Sequence, residues 1–125
     1  MKHVVDSSAW LEYFADGPHA DHFAPIIEAP DHLLVPSITI FEVFKRVTQQ
    51  RNEDAALQCV ALMQQGTLVD LDADMALAAA DLSLRFKLPM AGSVIYATAR
   101  LGGATLWTQD ADFESLEGVR YFPKT

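Results

Sequence analysis

Short, almost unbroken apolar runs alternate along this chain with longer stretches of helical periodicity. Five such runs stand out, HVVD at 3–6, HLLV at 32–35, TLVDL at 67–71, ATLWT at 104–108 and VRYF at 119–122. They are apolar at successive rather than alternate positions, which is the mark of strands covered on both faces. Between them lie SSAWLEYFAD, a segment around 19–29 interrupted by Pro25, SITIFEVFKRVTQQR, EDAALQCVALMQQG, DMALAAADLSLRFK and GSVIYATARLG. Most of these carry broad apolar stripes suited to packing on a sheet. Alternation of strand and helix predicts an α/β fold with a parallel sheet. The punctuation agrees: Ser37 and Asp72 stand where helix N-caps are expected, Gly66 closes one helical stretch, and Gly102 with Gly103 closes another.

Composition narrows the picture. The chain has 125 residues, 50% of them hydrophobic and 21% charged, which suits one core and a single domain spanning 1–125. No Pro- or Ser-rich stretch and no charge block divides it. Met1, Lys2 and His3 lead into only two valines before Asp6, so neither a signal-peptide run nor a membrane span is expected, and the expected location is cytoplasmic with no membrane partner. The single cysteine, Cys59, lies among apolar residues in LQCVALM and reads as a buried, reduced thiol. A formal charge of −8 argues against sequence-blind nucleic-acid binding by bulk electrostatics. It leaves room for a nucleic-acid enzyme in which a cation neutralises an acidic pocket and a few basic side chains guide the strand.

Four carboxylates point to such a pocket: Asp6 after the first run, Glu42 in SITIFEVFKR, and Asp110 and Asp112 after the fourth. In doubly wound sheets ligands bind beyond the carboxyl ends of strands where strand order reverses, and a first strand lying beside the fourth brings Asp6 to Asp110 and Asp112. Carboxylates at that range repel, and a shared cation resolves the repulsion. Oxygen-only ligands suit Mg²⁺ or Mn²⁺, and no His or Cys stands near enough in sequence to suggest zinc. Each acid also has a plain structural alternative. Asp6 and Asp110 can be helix caps, and Glu42 can pair with Arg46 at i, i+4. Lys45, Arg46 and Arg100 are candidate RNA-binding residues among the helical cations, which otherwise serve as solvated faces. The run Asp70, Asp72, Asp74 imitates an EF-hand opening but has Met75 where the loop needs Gly.

Four segments, VVDSSAWLEYF, PSITIFEVFKR, LPMAGSVIYATARLGGATLWT and TQDADFESLEGVRYF, together resemble the PIN domain family, and within it the short VapC-type toxin ribonucleases of toxin–antitoxin pairs. The resemblance runs over the whole chain. It implies a five-stranded parallel sheet between helices, Mg²⁺- or Mn²⁺-assisted hydrolysis of RNA of the transfer-RNA kind, a cognate antitoxin and a homodimer. Asp6, Glu42, Asp110 and Asp112 match family acidic positions, with metal held by Asp6, Asp110 and Asp112. Gly92 departs from the pattern, which has an aspartate ligand there, so the resemblance implies impaired activity. Two further classes stay open: an inactive PIN module that only binds a partner, and a receiver-like Mg²⁺-binding signalling domain with Asp70 as phosphoacceptor.

Overall fold

The computed structural model describes residues 1–124. Five parallel strands, β1 (Lys2–Val5), β2 (Leu33–Pro36), β3 (Thr67–Val69), β4 (Ala104–Thr108) and β5 (Val119–Tyr121), form one sheet in the order β3-β2-β1-β4-β5. The chain lays β1, β2 and β3 outward in one direction, then returns past β1 to add β4 and β5 on the other side. Strand order therefore reverses between β1 and β4. All five expected strands are present, displaced by a residue or two at their ends. The receiver-like alternative fails on this order, because that fold sets its third strand beside the first, whereas here β3 is an edge strand separated from β1 by β2.

Six helices cover the sheet: α1 (Ser7–Phe14), α2 (Ala20–Ile27), α3 (Ser37–Gln50), α4 (Glu53–Met63), α5 (Ala73–Phe86) and α6 (Met90–Leu101). Val4 and Val5, both fully buried, show why the strands are apolar at successive positions. Val5 enters a core with Trp10, Phe23, Val35, Val43 and Met63, on the side of α1 to α4. Val4 enters the opposite core with Ile95, Tyr96, Leu106 and Phe113, beneath α6. Helix α6 packs on β1, β2 and β4, and α5 packs on α6. Cys59 is buried and free, and burial pushes its thiol up. Asp72 caps α5 through the Met75 N–H at 2.9 Å, as the sequence suggests. Ser37 does not act as a cap; α3 already starts at that residue, with Pro36 before it and no side-chain cap bond. Pro25 stands inside α2 without dividing it. Among the described residues, no helix is long and apolar enough to cross a membrane.

Candidate metal and nucleic-acid cleft

Asp6 follows β1 directly, and the next residue opens α1. Its carboxylate is 3% exposed and accepts three hydrogen bonds. Oδ1 takes the Ser8 hydroxyl at 2.8 Å and the Ala9 N–H at 3.1 Å, the latter capping α1, while Oδ2 takes the Thr108 hydroxyl at 2.8 Å. Burial pushes the Asp6 carboxyl up to about 6; the bonds from Ser8, Thr108 and Ala9 oppose this, and the Asp110 charge adds to it. Asp6 is thus a helix cap that also faces a cleft.

That cleft, of about 720 Å³, opens at the carboxyl end of the sheet beside the β1/β4 reversal. Asp6, Glu42, Gly92 and Asp110 all line it. Glu42 comes from the middle of α3 and is held by the Ser7 hydroxyl, which donates to Oε1 at 2.5 Å. The alternative pairing of Glu42 with Arg46 does not form; among the described residues the ion pairs are Arg85 with Asp81 and Arg100 with Glu117. Asp110 sits two residues past β4. Its N–H donates to the Thr108 hydroxyl oxygen at 2.8 Å, and its Oδ1 accepts the Asp112 N–H at 2.9 Å to start the 3-10 turn Ala111–Phe113.

Asp112 does not join the other acids. The turn that Asp110 caps leaves Asp112 exposed and outside the cleft lining, where its backbone and not its carboxylate serves the site. Of the candidate RNA-binding cations, only Arg46 lines the cleft. Lys45 lies 5.9 Å from the Phe41 ring centroid, and Arg100 reaches Glu117 at 3.6 Å beside the Tyr96 ring. Sequence reasoning missed Ser7, Ser8 and Thr108, which hold the acids, and Glu12, Gln109 and Lys124, which line the cleft. The signal for the first three was a pair of hydroxyls after Asp6 and another two residues before Asp110.

Donor chemistry suits a hard divalent cation: the acids are carboxylates, and neither imidazole nor thiol lines the cleft. Number does not. Among the described residues no three of His, Cys, Asp and Glu stand close enough together to hold a metal ion. Gly92 marks where a further side chain fits: it lies in the first turn of α6, and a Cβ there meets Phe113 Cζ at 3.3 Å and Pro89 Cγ at 3.6 Å. Only side-chain atoms crowd it, so the position tolerates a side chain if the Phe113 ring gives by a few tenths of an ångström.

The family profile described as PIN domain matches residues 3–119. No curated protein sequence matches the chain. Among solved structures, a chain of a toxin–antitoxin complex from Klebsiella pneumoniae superposes with a TM-score of 0.80 at 21% identity, over 95% of this chain and 96% of that one. The Mycobacterium tuberculosis toxin VapC20, described as cleaving the sarcin-ricin loop, gives 0.79 at 17% identity over 94% and 97%. A chain of DNA-bound VapBC from Salmonella typhimurium gives 0.73 at 16% over 98% of both. At these identities the likeness is one of fold.

Proposed function

The chain belongs to the PIN domain family, and from its acidic cleft we propose that it is a metal-dependent endoribonuclease toxin of a toxin–antitoxin pair, held back by the glycine at position 92. The observation that carries this is the meeting of Asp6, Glu42 and Asp110, from three separate elements, in one cleft whose remaining wall is the N-terminal turn of α6 at Gly92. Asp6 and Asp110 would hold Mg²⁺ or Mn²⁺, and the ion when bound would supply Lewis acidity to a water and positive charge against the phosphodiester. The residues of the chain do the rest. Ser8 and Thr108 hold Asp6 in one orientation. Glu42, with one oxygen on Ser7, keeps the other to orient a water or take its proton. Arg46 offers a fork to a phosphate on the rim. The acid missing at position 92 leaves the cage open, so catalysis is weak.

The toxin–antitoxin character of the structural neighbours supports a small protein partner, which an acidic cleft short of metal would receive through an arginine side chain on Glu42 and Asp110. Self-association as a homodimer belongs to the same reading. A partner-binding module without catalysis is the second reading, favoured by the absence of three metal-holding acids among the described residues. One experiment separates them: incubation of RNA with the chain and with Gly92→Asp in Mg²⁺ or Mn²⁺. The nuclease reading expects cleavage by the Asp form, abolished by EDTA and by an added Asp6→Asn change, and slower by at least about 10-fold in the Gly92 form. Equal, metal-independent behaviour of the two forms would leave the binding module. Co-expression with the product of an adjacent upstream gene tests the partner; separate elution of the two proteins at low salt would remove it.

A further inference from the structure

Of the nine Lys and Arg in the chain, two line the acidic cleft, Arg46 and Lys124, and neither forms an ion pair with a described residue. Their places differ. Arg46 comes from α3, the helix that follows β2, whereas Lys124 comes from the segment that follows β5. In the sheet order β3-β2-β1-β4-β5, Asp6 follows β1 and Asp110 follows β4, so both acids stand between the strands that lead to the two cations. A polyanion running from one cation to the other crosses the ends of β1 and β4. In a chain of net charge −8 whose cleft acids repel phosphate, such local counter-charge carries the electrostatics of binding.

Lys124 is exposed, yet the segment that carries it is fastened down. Phe122 donates its N–H to the Thr108 carbonyl at 2.9 Å, the same threonine whose hydroxyl holds Asp6. Its ring stacks on His22 at 4.5 Å between centroids and meets Phe23 edge-on at 5.5 Å. One residue on, the Pro123 carbonyl oxygen lies 2.9 Å from His19 Nε2. A carbonyl only accepts, so Nε2 donates and carries the ring hydrogen. His19 Nδ1 is buried with no partner among the described residues, which leaves the bond to Pro123 as the one hydrogen bond of its ring. His19 is in turn tied to the cleft wall, its backbone N–H donating to Glu12 Oε2 at 2.7 Å. A buried ring nitrogen left unbonded costs stability, and an apolar ring would avoid that cost. The histidine is set on the carbonyl that precedes Lys124.

We propose that Lys124 is an RNA-positioning residue, holding a backbone phosphate on the β5 side of the cleft while Arg46 holds one on the β2 side, and that His19 sets Lys124 there by clasping the Pro123 carbonyl. The inference rests on the nuclease reading and adds to it the path of the strand. Binding of a labelled short oligouridylate to the chain as it stands, followed by fluorescence anisotropy at fixed Mg²⁺ and varied KCl, tests it. Lys124→Gln should lower the slope of log affinity against log salt by about 0.7 and weaken binding roughly 5- to 10-fold at low salt. Lys2→Gln removes the same charge at the start of β1, the far end of the sheet, and should leave slope and affinity nearly unchanged. His19→Ala should reproduce the Lys124→Gln loss and add almost nothing to it in the double variant. His19→Gln, whose amide N–H replaces the Nε2 donor, should keep most of the affinity. Lys124→Gln alters an exposed side chain and decides the matter even if His19→Ala fails to fold. An unchanged slope in Lys124→Gln, or equal losses in Lys124→Gln and Lys2→Gln, overturns the inference, and additive losses in the double variant remove His19 from it. No binding by the unaltered chain also overturns it, and the nuclease reading then stands or falls separately on cleavage by the Gly92→Asp protein.

Discussion

Thr108 donates its hydroxyl hydrogen to Oδ2 of Asp6 over 2.8 Å, across the central β1–β4 pairing, and both residues are buried. The same hydroxyl oxygen accepts the Asp110 N–H at 2.8 Å, so one threonine sets the spacing between the two acids nearest the strand-order reversal. Thr108→Val keeps the shape and removes both bonds. It should lower stability by about 1–3 kcal/mol, the cost of leaving buried polar groups unpaired, read as a shift in urea midpoint. Thr108→Ser should restore most of it. A valine form as stable as the original would mean that the network is incidental.

Burial sets the sign of the pH dependence. Asp6 titrates at about 6 in the folded chain against an ordinary 3.8, so between these values the folded state keeps a proton that the unfolded state has lost. The stabilising contribution of the protonated carboxyl is complete below the lower value and is lost as pH rises through about 6. Above that, the buried charge costs about 3 kcal/mol. Asp6→Asn, which stays neutral, should therefore gain on the original protein by about that amount between about pH 4 and about pH 8. Urea unfolding of both forms at the two ends measures it; a stability difference that does not change with pH would contradict the assigned cause.

Much of this was legible in the sequence, for reasons that differ by residue. Val4 and Val5 announced a strand buried on both faces, and the alternation of such runs with helices announced the parallel sheet. Asp6, Glu42 and Asp110, which line one cleft, could be grouped from the sequence because each stands at or near the end of a strand or inside an apolar helix, where a carboxylate needs a reason. Asp112 lies exposed and outside the cleft lining, which spacing alone cannot say, because Asp110 caps a 3-10 turn that directs the next residue but one outward. The hydroxyls of Ser7 and Thr108 were invisible for another reason. Their partners lie 35 and 102 residues away, and such bonds exist only once helix placement and strand order are known. Arg46 and Glu42 looked like a helical pair, but the nearer Ser7 hydroxyl holds the carboxylate and frees the arginine for the cleft.

Ser7 supplies a further test, because its hydroxyl touches Glu42 and no other described side chain. Glu42 is half-buried and water can replace the lost donor, so Ser7→Ala should change stability by less than about 1 kcal/mol. In the Gly92→Asp background the same change should slow RNA cleavage by about 10- to 100-fold, the usual cost of losing a group that orients an active-site ligand. Single-turnover rates with Ser7→Ala and Ser7→Thr measure it, and the threonine form should cleave nearly as well as the parent. Unchanged cleavage in Ser7→Ala would remove Glu42 orientation from the mechanism.

Gly92 lets the carboxylate be separated from the backbone. Gly92→Ala should stabilise α6 by up to about 0.5–1 kcal/mol through chain entropy, less whatever the Phe113 ring at 3.3 Å costs to move. Gly92→Asp shares that backbone gain and adds a favourable helix N-terminal charge of about 0.3–1 kcal/mol, but it sets a new carboxylate at the cleft of Asp6 and Asp110. Without a divalent cation their repulsion should leave the Asp form no more stable than the Ala form. With Mn²⁺ at about 100 times its dissociation constant, the Asp form should gain about 2.7 kcal/mol, and the Ala form should gain far less. Thermal melts in EDTA and in Mn²⁺, with calorimetric titration of each form, read this without any RNA. If the Ala and Asp forms respond to Mn²⁺ alike, position 92 does not face the cation, and the proposed restraint by the glycine falls.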